Sequence, residues 1–487
     1  MNKLVIIGAG TAGMACAISA AECGAQVTVI EKSNSVGGTL HVTAGHMSAG
    51  GTIRQAERKI ADSPQQHFDD VMRISNYTAD PTIVKLATEL APKTIDWLQS
   101  LGFPFEADTP KFIYGHTPYQ TPRTYWGTTA YEGTEIKWAG SAIYETMLPL
   151  WEKHVANGQI EVHLDTKLTQ IIRNQQGSVT GIEIYKSENN SFNIFHSSLF
   201  VLTTGGYGSN HDFFKKVTPA DWPRLVSTAR ETSTGDGIIA AMEAGAKFHN
   251  ADKHTATLGG LELEPNSGRT DFWKSWVRVS NSIDRQPREI YVNAQAQRFM
   301  DENEPDPDTR EKAVEAQTDK KMWVIFDEKA LNDDGGCIVP QWTPEKLKQE
   351  AQNQKAVWVA DSVEILAQKI GLSDVTLKNT VSQFNDFVAN QNDADFGRTH
   401  LQNSVSEGPY YAILTYCFSL VTFGGLATNA ELQVLDTDNE PIPNLYAAGE
   451  ILGGGVTCGN AFVGGMFVTP ALSFGRFLGQ KLAQTII

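Results

Sequence analysis

The chain is short of cysteine, of positive charge and of long apolar runs, and each shortage excludes a class of protein. Five cysteines (Cys16, Cys23, Cys337, Cys417 and Cys458) form no Cys-x-x-Cys pair, which argues against a disulfide framework, an iron–sulfur centre and a structural zinc. Lys and Arg number 40 against 56 Asp and Glu, a formal charge of −16, so phosphate-rich partners such as nucleic acid and anionic membranes would be repelled. No apolar stretch approaches the length that crosses a bilayer. Internal repeats and low-complexity tracts are also missing. At 487 residues, with 41% hydrophobic and 20% charged residues, the composition is that of a globular protein of about two or three domains. The Met1–Lys3 start runs directly into an apolar strand, with no secretory cleavage pattern behind it, and the expected location is cytoplasmic.

The strongest pattern lies in the first thirty residues. Leu4–Ile7 reads as a buried parallel strand, Gly8-Ala9-Gly10-Thr11-Ala12-Gly13 as a turn, Met14–Cys23 as a helix of small residues, and Val27–Ile30 as a second strand ending in Glu31. This is a complete βαβ unit. Glycines at Gly8, Gly10 and Gly13 permit a tight turn, a close approach of backbone N–H groups to a pyrophosphate, and phosphate at the positive end of the helix. The acid Glu31 can accept from ribose hydroxyls. The unit alone leaves FAD and NAD open. A second glycine-rich stretch, Gly37-Gly38-Thr39 and then Ala44-Gly45, favours a larger cofactor with a further flat portion, as in FAD.

Beyond it, 52–105 has helical spacing, and 106–137 is a long aromatic loop region that includes Tyr114, His116, Tyr125 and Trp126. Strands are expected around the Asn174–Gly177 turn and at Leu199–Leu202. From about 250 to 420 prolines, charges and tryptophans (Trp273 among them) increase, and the last 65 residues return to the opening style. The expected fold is α/β: a discontinuous Rossmann-like domain of residues 1–250 and 422–487, with a capping domain, 251–421, inserted.

Several ordered stretches resemble one flavoprotein family. They are the opening βαβ with Glu31-Lys32, Gly37-Gly38 with Ala44-Gly45, Thr203-Thr204-Gly205-Gly206, Thr234-Gly235-Asp236-Gly237, Arg298-Phe299-Met300-Asp301-Glu302, Thr422-Phe423-Gly424-Gly425, Ala447-Ala448-Gly449-Glu450 and Gly464-Gly465. The chain resembles the fumarate reductases and succinate dehydrogenases, whose relatives include the 3-ketosteroid dehydrogenases and tricarballylate dehydrogenase. The resemblance implies FAD, held by Gly8, Gly10, Ala12, Gly13, Glu31, Lys32, Gly38, Thr39, Ala44, Gly45, Leu168, Gly205, Asp236, Glu450 and Val468. In it Glu450 takes a ribityl hydroxyl, and the backbone at Val468 and Thr469, on a helix's first turn, faces the flavin's pyrimidine edge. Some members tether FAD through a His near the place of His41; here His41 is read as a polar neighbour of a non-covalently held cofactor. His41 and His46 bring no further ligands, so no metal is expected.

The family moves a hydride between flavin N5 and carbon, and so makes or removes a C=C bond. The carboxylate-gripping His and Arg of fumarate reductases are replaced here by Val421 and Phe462. Two unpaired carboxylates against such a wall would cost on the order of several kcal/mol. The expected substrate is therefore a cyclic or weakly charged carbonyl compound, with a tricarballylate- or fumarate-type carboxylate as the alternative. A non-redox FAD-binding protein and a flavin oxidase are the readings from other classes. Arg310 is the candidate for the family's proton-transfer Arg, with Tyr125, His254 and Tyr416 as further acids. Neither a haem motif nor a second dinucleotide fingerprint names an electron partner.

Overall fold

The computed structural model describes all residues except 1–3, 113–116, 129, 133–134, 138, 219–225, 255–256, 272–274, 278–284, 333–336 and 487, and only the backbone of 130–132, 135–137 and 139. Tyr114, His116 and Trp273 of the sequence reading therefore lie outside the described residues.

The chain opens with β1 (Leu4–Ile7), α1 (Thr11–Glu22) and β2 (Val27–Ile30). Every residue of β1 and β2 is buried, as short aliphatic runs must be in a parallel sheet covered on both faces. Ile160–His163 (β3), Leu199–Leu202 (β4), Gln433–Leu435 (β5) and Pro441–Ala447 (β6) complete a six-stranded sheet in the order β5-β6-β4-β1-β2-β3. All neighbours are parallel except β5 and β6. Strands from both ends of the chain thus form one sheet.

Helix α1 is buried from Ala12 through Ala21, which explains its small residues: other elements surround it on all sides. The closing helix α2 (Val468–Ile486) lies against it so closely that a Cβ on Gly475 would sit 2.2 Å from the Ala12 carbonyl oxygen, and one on Gly479 2.3 Å from that of Cys16. Its first residue is Val468, and Pro470 falls in the first turn, where proline is accepted.

A second sheet is antiparallel. Tyr410–Phe418 is its spine, pairing with Lys321–Asp327 on one edge and with Val357–Ala360 and Thr257–Gly260 on the other; Ile290–Val292 adds to Lys321–Asp327. The hydrophobic core under the parallel sheet uses residues up to Ala246 and resumes at Phe423. Two further clusters, spanning Leu258–Cys417 and Ile290–Ala412, flank the antiparallel sheet. The α/β arrangement with an inserted cap is the expected one. Helices at Pro344–Asn353, Val363–Ile370 and Asp374–Asn390 complete this part of the chain, each with an apolar side buried.

Candidate functional site: a long cavity beside the parallel sheet

A cavity of about 560 Å³ runs from the ends of β1 and β2 to the first turn of α2. It begins at the glycine turn. Gly8 has φ +104°, and a Cβ there would fall 2.4 Å from the Thr203 carbonyl oxygen, so only glycine fits. The Thr203 hydroxyl donates to the carbonyl oxygens of Ile7 (2.9 Å) and Gly8 (2.7 Å), tying β4 to the turn. Gly10 precedes α1 with no side-chain cap, which leaves first-turn N–H groups available at the helix's positive end. Gly38 completes the cradle: its Cβ would lie 2.9 Å from the Gly10 Cα.

Charged groups at this end are held by the chain itself. Glu31 accepts the Ala9 N–H at 2.7 Å on one oxygen and the Ser33 N–H at 2.8 Å on the other. Asp236 receives Lys32 at 2.6 Å and Lys167 at 2.8 Å, and Thr234 donates to it as well. Burial would raise the Asp236 carboxyl, but the two lysines outweigh it and hold it below its ordinary value. Midway along, Arg230 donates to the Gly38 carbonyl at 2.6 Å. One oxygen of Glu450 accepts both the N–H (2.9 Å) and the hydroxyl (3.1 Å) of Thr422; burial raises its pKa in spite of both bonds.

The far end is apolar. Leu420, Val421, Phe462, Met466 and Phe467 line it, and the rings of Phe462 and Phe467 lie 5.6 Å apart. Here α2 begins: Val468 and Pro470 face the cavity, and the Thr469 hydroxyl accepts the Ser48 N–H at 2.8 Å. The positive end of a 19-residue helix is therefore directed at this space.

The structure brings most of the sequence-derived residues together. Gly8, Gly10, Ala12, Glu31, Lys32, Gly38, Thr39, Ala44, Leu168, Gly205, Asp236, Glu450 and Val468 line the cavity, as do Val421 and Phe462. Two are corrected. Gly13 serves packing, because its Cβ would fall 1.8 Å from the Gly8 carbonyl oxygen. Gly45 is a turn residue at φ +68° whose N–H reaches the Thr43 hydroxyl. His41 also turns from the cavity, its Nε2 lying 2.9 Å from the Val36 carbonyl oxygen and its ring against Tyr144.

The four candidate acids stand apart from the cavity lining. Tyr125 is fully buried, its hydroxyl 2.7 Å from that of Thr52. His254 packs between Phe214 and Phe423, its pKa pushed down to about 3 by burial. Tyr416 belongs to the antiparallel sheet, opposite Lys321 and Gly260. Arg310 is a buried residue of the helix Pro307–Glu315. Sequence reasoning missed Arg230 and the cavity-facing side of His46. Arg230 has no motif signal, and its bond to Gly38 spans 192 positions.

The cradle at Gly8 and Gly38 with no room for a Cβ, the uncapped helix and the carboxylates Glu31 and Glu450 on the lining fit FAD. Comparison with known proteins agrees. A family model described as "FAD binding domain" matches residues 3–466. The chain is 28% identical to the probable fumarate reductase Ifc3 of Shewanella frigidimarina, over 99% of this chain and 75% of that protein. To the vinyl phenol reductase of Lactiplantibacillus plantarum it is 27% identical, over 99% and 96%. The solved 3-ketosteroid delta1-dehydrogenase of Sterolibacterium denitrificans has the same fold, with a TM-score of 0.78 at 20% identity and full coverage of both chains. The protein thus belongs to the FAD binding domain family, within the flavoprotein superfamily of fumarate reductases and succinate dehydrogenases, and is an FAD-dependent oxidoreductase acting on CH–CH groups.

Proposed function

We propose that the protein forms or reduces a C=C bond beside the carbonyl of a cyclic or weakly charged compound, with residues 1–250 and 422–487 holding FAD non-covalently and 251–421 capping the substrate. The observation that carries this reading is the uncharged far wall of Val421, Phe462 and Phe467. Bound FAD supplies the hydride acceptor or donor. The apolar wall excludes water and offers an anionic substrate no counter-ion, so a neutral compound enters at the lower cost. The first turn of α2 favours negative charge gathering at that end. The name of vinyl phenol reductase, a relative with an uncharged aromatic substrate, supports the same choice.

Arg310 is the proposed proton-transfer residue. Burial lowers its pKa against the pull of Tyr291, Glu311 and Glu304, which makes the guanidinium a better acid than a solvated one. Its role requires the helix Pro307–Glu315 to close onto the cavity. Five unbridged cysteines, Cys23 exposed, fit a reducing, cytoplasmic setting. A carboxylate substrate is the second reading, favoured by relatives named as fumarate reductases.

Anaerobic titration of the flavin band near 450 nm tests the choice. Bleaching by a saturated cyclic ketone, and not by succinate or tricarballylate, is expected. Bleaching by the carboxylates alone would overturn the neutral-substrate reading.

A further inference from the structure

Nearly every titratable side chain lining the cavity is engaged by the chain: Glu31 and Glu450 by N–H groups, Lys32 and Lys167 by Asp236, Arg230 by the Gly38 carbonyl. His46 is the exception. It lines the cavity and makes no hydrogen bond among the described residues. Its place in the chain sets it at the reacting end. Met47 and Ser48 follow it, paired with Tyr125 and Thr124 respectively, and the Ser48 N–H is clamped to Thr469 on the first turn of α2.

The ring is also held. It leans on Trp126 with centroids 5.1 Å apart, and Lys111 covers the same indole at 4.3 Å. Burial, with Lys111 adding to it and Glu106 opposing, pushes the imidazole down to about 4. At neutral pH it is therefore uncharged, with one N–H donor and one acceptor nitrogen. An uncharged donor suits an apolar wall, because no ion has to be stripped of water there.

We propose that His46 is a catalytic residue that donates a hydrogen bond to the activating carbonyl oxygen of the substrate; this rests on the carbonyl reading above. When hydride reaches the β-carbon, the C=C electron pair shifts towards the carbonyl and the oxygen gains negative charge, so the bond strengthens in the transition state. His46 keeps its proton throughout. The proton that completes the α-carbon comes from the separate acid.

The test uses dithionite-reduced holoprotein and cyclohex-2-enone, following flavin reoxidation anaerobically in a stopped-flow instrument. His46→Phe keeps the stack on Trp126 and removes the donor; His46→Gln restores one. Reoxidation of the Phe variant is expected to slow about 100-fold, with FAD content and flavin midpoint potential unchanged, and that of the Gln variant to recover to within about tenfold of wild type. A Phe variant as fast as wild type, a Gln variant no better than Phe, or loss of FAD from both would overturn the inference and leave the carbonyl reading standing. Wild-type protein that no enone reoxidises would overturn that reading and the inference with it.

Discussion

At the β2 end of the cavity, charged side chains are fixed by partners within the chain; at the α2 end the wall is carbon, with His46 beside it. At the first end, Glu31, Lys32, Lys167 and Asp236 are already oriented, so a cofactor meets dipoles that need little reordering. The second end imposes only shape, the helix terminus and a neutral donor. One scaffold can therefore keep its cofactor while its substrate changes, since altering the far wall leaves the near end untouched. Among the proteins this chain is similar to, one is named for fumarate and another for vinyl phenol.

The largest effect should come from breaking the near end. In Gly13→Val the added carbons have nowhere to go, since even a Cβ would overlap the Gly8 carbonyl oxygen and lie 2.8 Å from the Thr203 hydroxyl. The strain, about 3 kcal/mol or more, displaces the turn that cradles the pyrophosphate. The variant should purify without the 450 nm flavin band and melt earlier than wild type in a thermal scan. A yellow Gly13→Val protein would show that the turn tolerates movement and that the near end is not rigid.

Arg310→Ala comes next and touches neither end directly. If Arg310 transfers the proton, turnover should fall by about 10²- to 10⁴-fold while FAD content and spectrum stay as in wild type. Unchanged turnover would remove Arg310 from the mechanism. Phe462→Arg places a cation in the carbon wall and so tests the comparison itself. Turnover of a neutral cyclic enone should drop by about 100-fold, with FAD still bound, while affinity for a dicarboxylate rises about tenfold through a charge-assisted pair. Lost FAD would mean that the two ends are coupled.

Much of the near end could be read from residue order alone, because it is built from local pattern. The aliphatic run Leu4–Ile7, the spaced glycines and the acid after β2 lie within about thirty residues, and their geometry follows from strand, turn and helix periodicity. The inserted cap was legible for a similar reason, since its amphipathic helices carry their own spacing. Residues placed by distant contacts were not. Tyr125 gives no sign in the sequence that its hydroxyl will meet Thr52, and His41 none that it will turn onto Tyr144. Arg310 lies in an acidic segment with no apolar spacing to announce its burial, yet the proline at Pro307 and the Asp306 cap start a helix whose inner face buries it. The motif shows that Gly13 must be small, but not that the atom a Cβ would meet is the Gly8 carbonyl oxygen.

The smallest effect separates stability from binding within one side chain. Burial raises Glu450 above its ordinary value of 4.5, so the folded apoprotein binds more protons than the unfolded chain. This group's contribution to stability is thus present below about 4.5 and is lost as pH rises through the folded value. In Glu450→Gln the amide oxygen can keep both bonds from Thr422 while the buried charge is gone. Denaturant midpoints of the two apoproteins should coincide at pH 4, and the variant's should be the higher at pH 7. If Glu450 takes a ribityl hydroxyl, the same change weakens FAD binding by about tenfold at pH 7, because the acceptor is no longer charged. A more stable apoprotein with weaker FAD binding would mark Glu450 as a group whose burial is retained for the cofactor. A midpoint difference that persists at pH 4 would show that the amide acts through packing, and unchanged affinity would remove Glu450 from the cofactor contacts.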